Sequence, residues 1–158
     1  MDKFKIEVKW AIIFSLFMLL WMCIERLLGW HDVHIDKHPI YTNLVAIPSI
    51  LLYVLALKEK RNHFYQGKMT WVQGFISGLI ITSIVAIFSP IAQLITHKII
   101  SPHFFQNAIN YGVEHKLTTL EEAQKNFNLK NYILMSFFGA LVMGFITSAL
   151  VALFAQKK

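Results

Sequence analysis

The sequence predicts an all-α integral membrane protein: a four-helix bundle whose third and fourth spans are joined by an extramembrane helical hairpin. Three observations predict it. The 158 residues are 56% hydrophobic and 15% charged, with a mean hydropathy of +0.51, far more apolar than a soluble domain. Four apolar stretches, at about residues 10–29, 39–57, 71–97 and 131–154, match the ~30 Å hydrocarbon core at about 1.5 Å per helical residue. In the third stretch small or helix-breaking residues recur at every fourth position, Gly74, Gly78, Thr82, Ala86 and Pro90. That stripe lets another backbone approach, and close packing holds helices together in lipid. The whole of 1–158 reads as one membrane domain.

Taken in order, the first span is bounded by Trp10 and Trp30, aromatics suited to the membrane interface. Its basic start resembles a signal peptide, but no small-x-small cleavage site follows, so it is read as an uncleaved span. Its apolar part stops at Ile24, which sets Glu25 about 8 Å from the midplane of a centred helix. An acid at that depth should turn inward and find partners. By depth, those partners are Asn43 on the second span, Ser89 or Gln93 on the third and Ser136 on the fourth, which together with Glu25 would form a buried polar layer. Arg26 should snorkel to the headgroups. The second span opens on Pro39, a favoured first helical residue, and Pro48 should bend it.

Thr70 and Gln73 have the spacing of a capping box at the start of the third span, and Thr119 and Glu122 repeat it in the outer connection, 101–130. That connection is too polar to span and reads as two short helices, with Asn128 capping the final span. The fourth span carries Ser136, Ala140, Gly144, Ser148 and Ala152 at the same period. Run antiparallel to the third, it should pair Gly74 with Ala152, Gly78 with Ser148, Thr82 with Gly144 and Ala86 with Ala140.

Nine of the fifteen Lys and Arg residues fall before the first span, between the second and third, or at the C-terminus. By the positive-inside rule both termini are then cytoplasmic, in a bacterial inner membrane. The net charge of +6 follows from this placement. With no basic helix interleaved with aromatics, no nucleic-acid partner is expected. The partners expected are the lipid bilayer and another membrane protein or a second copy of the chain. The lone Cys23 allows no intrachain disulfide.

The loop His31-Asp32-Val33-His34-Ile35-Asp36-Lys37-His38 gathers the residues a divalent ion would use, namely His31, His34, His38, Asp32 and Asp36. A plain polar loop is the reading adopted, so no metal, cofactor or catalytic residue is assigned. A nucleophile with a base, a phosphate-binding glycine loop and a zincin helix are all lacking, and an enzyme is not expected.

The chain resembles the bacterial membrane-protein family designated domain of unknown function 4199, of Bacteroidota type, and looks especially like its flavobacterial branch. The resemblance rests on Glu25-Arg26, Gly29-Trp30-His31-Asp32, Thr42-Asn43-Leu44, Ile47-Pro48, Gly67-Lys68-Met69, Gln73-Gly74, Ser89-Pro90 to Gln93, Ser101-Pro102 to Phe105, Glu121-Glu122-Ala123 and Phe127-Asn128. It implies a four-span inner-membrane protein and brings no activity or functional residues. Two function classes remain: an accessory, assembly or interaction protein, and a small oligomeric permease or ion pathway. The first is favoured, because no charged group sits at the midplane and no inverted repeat is visible.

Overall fold

The structure, a computed structural model, describes residues 2–157. Four of its helices are long and apolar enough to cross a membrane: Lys5–Leu27, Ile35–Phe64, Trp71–Ile100 and Leu129–Ala155. The first begins five residues before its apolar stretch and stops two short of its end, the second and fourth run past theirs at both ends, and the third runs past its end at residue 97. The elements are α1 (Lys5–Leu27), α2 (His38–Tyr41), α3 (Ala46–Glu59), α4 (Trp71–Ile95), α5 (Phe104–Glu114), α6 (Leu120–Asn126) and α7 (Leu129–Ala155). Lys9 and Trp10 of α1 bond Glu59 of α3, and Met69 bridges Lys157, so both termini and the α3–α4 connection meet at one end. We call this the terminal end and the opposite one the distal end.

The two prolines are accommodated differently. Before Pro48 the chain tightens into a 3-10 turn, Thr42–Val45, where the Ala46 amide bonds the Asn43 carbonyl. Pro48 can offer no N–H to Leu44 and crowds that carbonyl, which disfavours regular α geometry there. Pro90 lies inside α4 and deprives the Ala86 carbonyl of its amide. The Ser89 hydroxyl donates to that carbonyl at 2.9 Å instead, so α4 passes the proline with its acceptor satisfied.

Both capping boxes form, at Thr70–Gln73 and at Thr119–Glu122, and the Asn128 side chain accepts from the Asn131 amide at 3.0 Å. At the other end of α7, Arg61 donates to the Ala155 carbonyl at 3.0 Å, where a cation also complements the helix dipole.

The bundle is held along α4 and α7. A Cβ added to Gly74 would meet Ala152, one on Gly78 would meet Ser148, and one on Gly144 would meet Thr82, so these backbones touch wherever a side chain is missing. Hydroxyls fill the seam: Thr82 and Ser148 each donate to the carbonyl one turn back, at 2.9 and 2.6 Å, and the Tyr53 hydroxyl reaches Thr82 at 2.7 Å. Internal hydroxyl bonds of this kind leave no polar group facing an apolar surround. Around them sits the hydrophobic core, including Ala11, Ala56, Leu57, Ile81 and Val151, and Phe14 packs edge-on against Tyr53 with ring centroids 5.7 Å apart.

The second long helix is unevenly packed. Its buried residues, Tyr53, Ala56, Leu57 and Lys60, all lie toward the terminal end, while α2, the 3-10 turn and the first turns of α3 bury none. The bundle is therefore closed at the terminal end and parted at the distal end.

Candidate functional site

The parted end carries a buried polar cluster, and local backbone chemistry builds it. Helix α1 stops in a Schellman motif: the Trp30 amide bonds the Glu25 carbonyl and the Gly29 amide bonds that of Arg26, with Gly29 at φ +76°. A side chain at position 29 would be strained by that φ and would strike Val33 at 2.8 Å. This reversal folds the loop back along α1 and returns His31 to Glu25, six residues earlier in the chain.

Glu25 is fully buried and His31 nearly so. The Glu25 carboxylate is held from both sides. Its Oε1 accepts from Trp21 at 2.5 Å, while Oε2 lies 3.0 Å from His31 Nε2 and 3.4 Å from His38 Nε2. The other ring nitrogen of His31 is 2.6 Å from the Ser101 hydroxyl, and the Asn107 amide of α5 donates to the His31 carbonyl at 2.9 Å. Phe104 closes the group, its ring centroid 5.2 Å from that of His31 and 5.0 Å from that of His38. An ionised carboxylate out of water is costly unless paired, and among the described residues its basic partners are these two imidazoles. The ligand atoms of Glu25, His31 and His38 all lie within 4.8 Å of one another.

Beside this cluster a cleft of about 500 Å³ runs between the helices toward Phe14, Tyr53 and Gly144. Its lining is mainly apolar, but His31, His38 and His97 face it at the distal end. Two buried atoms, Gln93 Oε1 and His97 Nδ1, have no hydrogen-bond partner, and both residues line the cleft. Sites that take ligands commonly join an apolar hollow to a few convergent polar groups in this way.

Asn43, Ser89, Gln93 and Ser136, named from depth alone, all line the same cleft. None of them bonds Glu25. Asn43 turns back to the Pro39 carbonyl at 2.8 Å, and the Ser136 hydroxyl is 3.4 Å from that of Ser89. Glu25 sits behind His31 and His38, because the loop reversal supplies partners nearer than the facing helices. Of the loop residues considered for metal, His31 and His38 come together, whereas Asp32 pairs with Arg26 and both His34 and Asp36 are exposed. Arg26 is thus tied to Asp32 of its own loop. His34 precedes a separate 3-10 turn, Ile35–Lys37. The Gly29 C-cap was the sequence signal that could have placed His31 against Glu25.

A second cluster, at the terminal end, escapes sequence reasoning altogether. Glu7 of α1 and Lys60, both almost fully buried, form an ion pair at 2.8 Å, and the Ser77 hydroxyl of α4 donates to Glu7 at 2.9 Å. Lys60 begins a π-helical turn, Lys60–Phe64, and its ammonium lies 3.8 Å from the Phe64 ring centroid. Lysines near span ends read as topological charge, and nothing in the periodicity separates Lys60 from Lys58.

A protein-family model described as "Protein of unknown function (DUF4199)" matches residues 9–157. The chain belongs to this family. Neither a curated protein nor a solved structure matches it. The DUF4199 match takes in the whole distal cluster, the cleft and the α4–α7 seam. Of the terminal cluster it includes Lys60 and Ser77 but begins two residues after Glu7.

Proposed function

We propose that this is a multi-pass protein of the bacterial inner membrane, with both termini in the cytoplasm, that acts as an accessory or assembly partner of another membrane protein and not as an enzyme. The observation that supports it is the unpacked distal half of the second span. From His38 into the first turns of α3 no residue is buried, yet this segment fronts a cleft carrying Asn43, Ser89, Gln93 and Ser136. Lipid chains cover apolar surface well and give amide groups nothing to bond. A transmembrane helix of a partner offers both the packing surface and the polar contacts that hold helices together in a bilayer. In this orientation the clustered histidines lie on the periplasmic side and the Glu7–Lys60 pair on the cytoplasmic side.

Orientation is tested by reporter fusions. Those after Lys68 and Lys157 are expected to behave as cytoplasmic and one at Lys116 as external, and an external Lys68 reporter would overturn the topology. The functional reading is tested by photocrosslinking from the cleft in native membranes. An adduct with a second protein supports it, whereas homo-adducts accompanied by ion or solute flux in purified oligomers would establish the permease reading in its place.

A further inference from the structure

We propose that Glu25, His31 and His38 form a binding site for one divalent transition-metal ion, zinc above all, with a further coordination position open to the cleft. Two imidazoles and a carboxylate are the donor set of many three-ligand zinc sites, while calcium and magnesium prefer all-oxygen surroundings. The two carboxylate–imidazole spacings suit the ion, and all three donor atoms lie within 4.8 Å of one another. Zn–N and Zn–O bonds of about 2.0–2.1 Å at tetrahedral angles set neighbouring donor atoms about 3.3 Å apart. Glu25 Oε2 lies 3.0 Å from His31 Nε2 and 3.4 Å from His38 Nε2.

The surrounding contacts orient the donors as outer partners of metal ligands do. Trp21 occupies Glu25 Oε1, leaving Oε2 to face the imidazoles. Ser101 stands at His31 Nδ1. With its proton on Nδ1, donated to Ser101, His31 offers an Nε2 lone pair 3.0 Å from the carboxylate oxygen. A cation bound by both takes the place of the Nε2–H···carboxylate bond of the other tautomer. It also neutralises a carboxylate with no exposure to water. On the cleft side, His97 Nδ1 and Gln93 Oε1 are buried without hydrogen-bond partners and belong to residues that line the same cleft as His31 and His38. Because the ligands come from the end of α1, the loop and the start of α2, the ion would clamp the distal ends of the first two spans together.

The test uses the full-length protein, purified on a tag without histidine, stripped with chelator and given Zn2+ alone. Equilibrium dialysis with elemental analysis is expected to find about one ion per chain, and Co2+ in its place should give the intense visible bands of a four-coordinate nitrogen–oxygen site. His38→Ala removes a ligand and should weaken binding by more than about a hundredfold, whereas Ser101→Ala, which removes an outer partner, should cost about 10- to 100-fold. His115→Ala, at the exposed residue just after α5, should change nothing. Should His38→Ala fail to fold, Ser101→Ala and the Co2+ spectrum of the unaltered protein still decide. No bound ion, a six-coordinate Co2+ spectrum, or affinity unchanged in His38→Ala or Ser101→Ala would overturn the proposal. None of these readouts depends on a protein partner.

Discussion

Lys60→Ala is expected to lower the unfolding free energy by about 3–5 kcal/mol, read from the midpoint of denaturation in mild detergent. Glu7 and Lys60 are 1% and 3% exposed, and their atoms approach to 2.8 Å. Removing the ammonium leaves a buried carboxylate with the Ser77 hydroxyl as its remaining donor, and the unmet desolvation cost falls on the folded state. The same residue also stacks over Phe64 and donates to the Lys3 carbonyl, so the π-helical turn should loosen with it. Replacing both members by apolar residues, as in Glu7→Leu with Lys60→Met, removes the charge together with its partner and is expected to recover most of the loss. A Lys60→Ala loss below about 1 kcal/mol, the worth of a solvent-exposed pair, would show that the pair is wet.

Gly78→Ala and Gly139→Ala are expected to differ in sign, although both lie in long apolar helices. A Cβ on Gly78 would come within 2.6 Å of Ser148 Cβ and 3.2 Å of its Cα, and the second contact is backbone that cannot rotate aside. Overpacking of that kind costs about 1–3 kcal/mol, and Gly78→Leu should exceed it. Gly139 has nothing within 4 Å of its Cβ position, so alanine there gains helix propensity, about 0.5–1 kcal/mol, without a clash. Equal effects at the two sites, read as melting temperatures, would contradict the α4–α7 seam.

These two clusters of prediction differ in how far the sequence exposes them. The seam is legible because a four-residue recurrence of Gly, Ser, Thr and Ala fixes both the face that packs and, in an antiparallel pair, the register. Gly78 opposite Ser148 and Thr82 opposite Gly144 follow from counting. The capping boxes are legible for a similar reason, since Thr70 with Gln73 and Thr119 with Glu122 satisfy amides within one turn.

The polar sites are less so. The depth of Glu25 in an apolar run marks it as needing partners, but depth measured along straight helices points to side chains on facing spans. The actual partners arrive through a reversal at Gly29, which costs nothing in periodicity and so leaves no periodic trace. Lys60 is harder still. In sequence it is one of a group of basic residues after an apolar run, and only three-dimensional packing shows that a π-helical turn directs this one inward to Glu7. The parting of the distal end is invisible for a different reason: the first turns of α3 are as apolar as any buried segment, and hydropathy alone does not distinguish a helix face turned to the core from one turned to lipid or to a partner.

The measurement that bears most directly on a partner-binding cleft is photocrosslinking in native membranes from single positions around the bundle. A photoreactive residue at Ile50 or Met135, both exposed and both lining the cleft, is expected to capture one partner protein reproducibly, with no such adduct from Leu20 or Val142, which are equally exposed but outside it. Adducts of equal yield from all four positions, or capture of lipid alone at Ile50 and Met135, would contradict it.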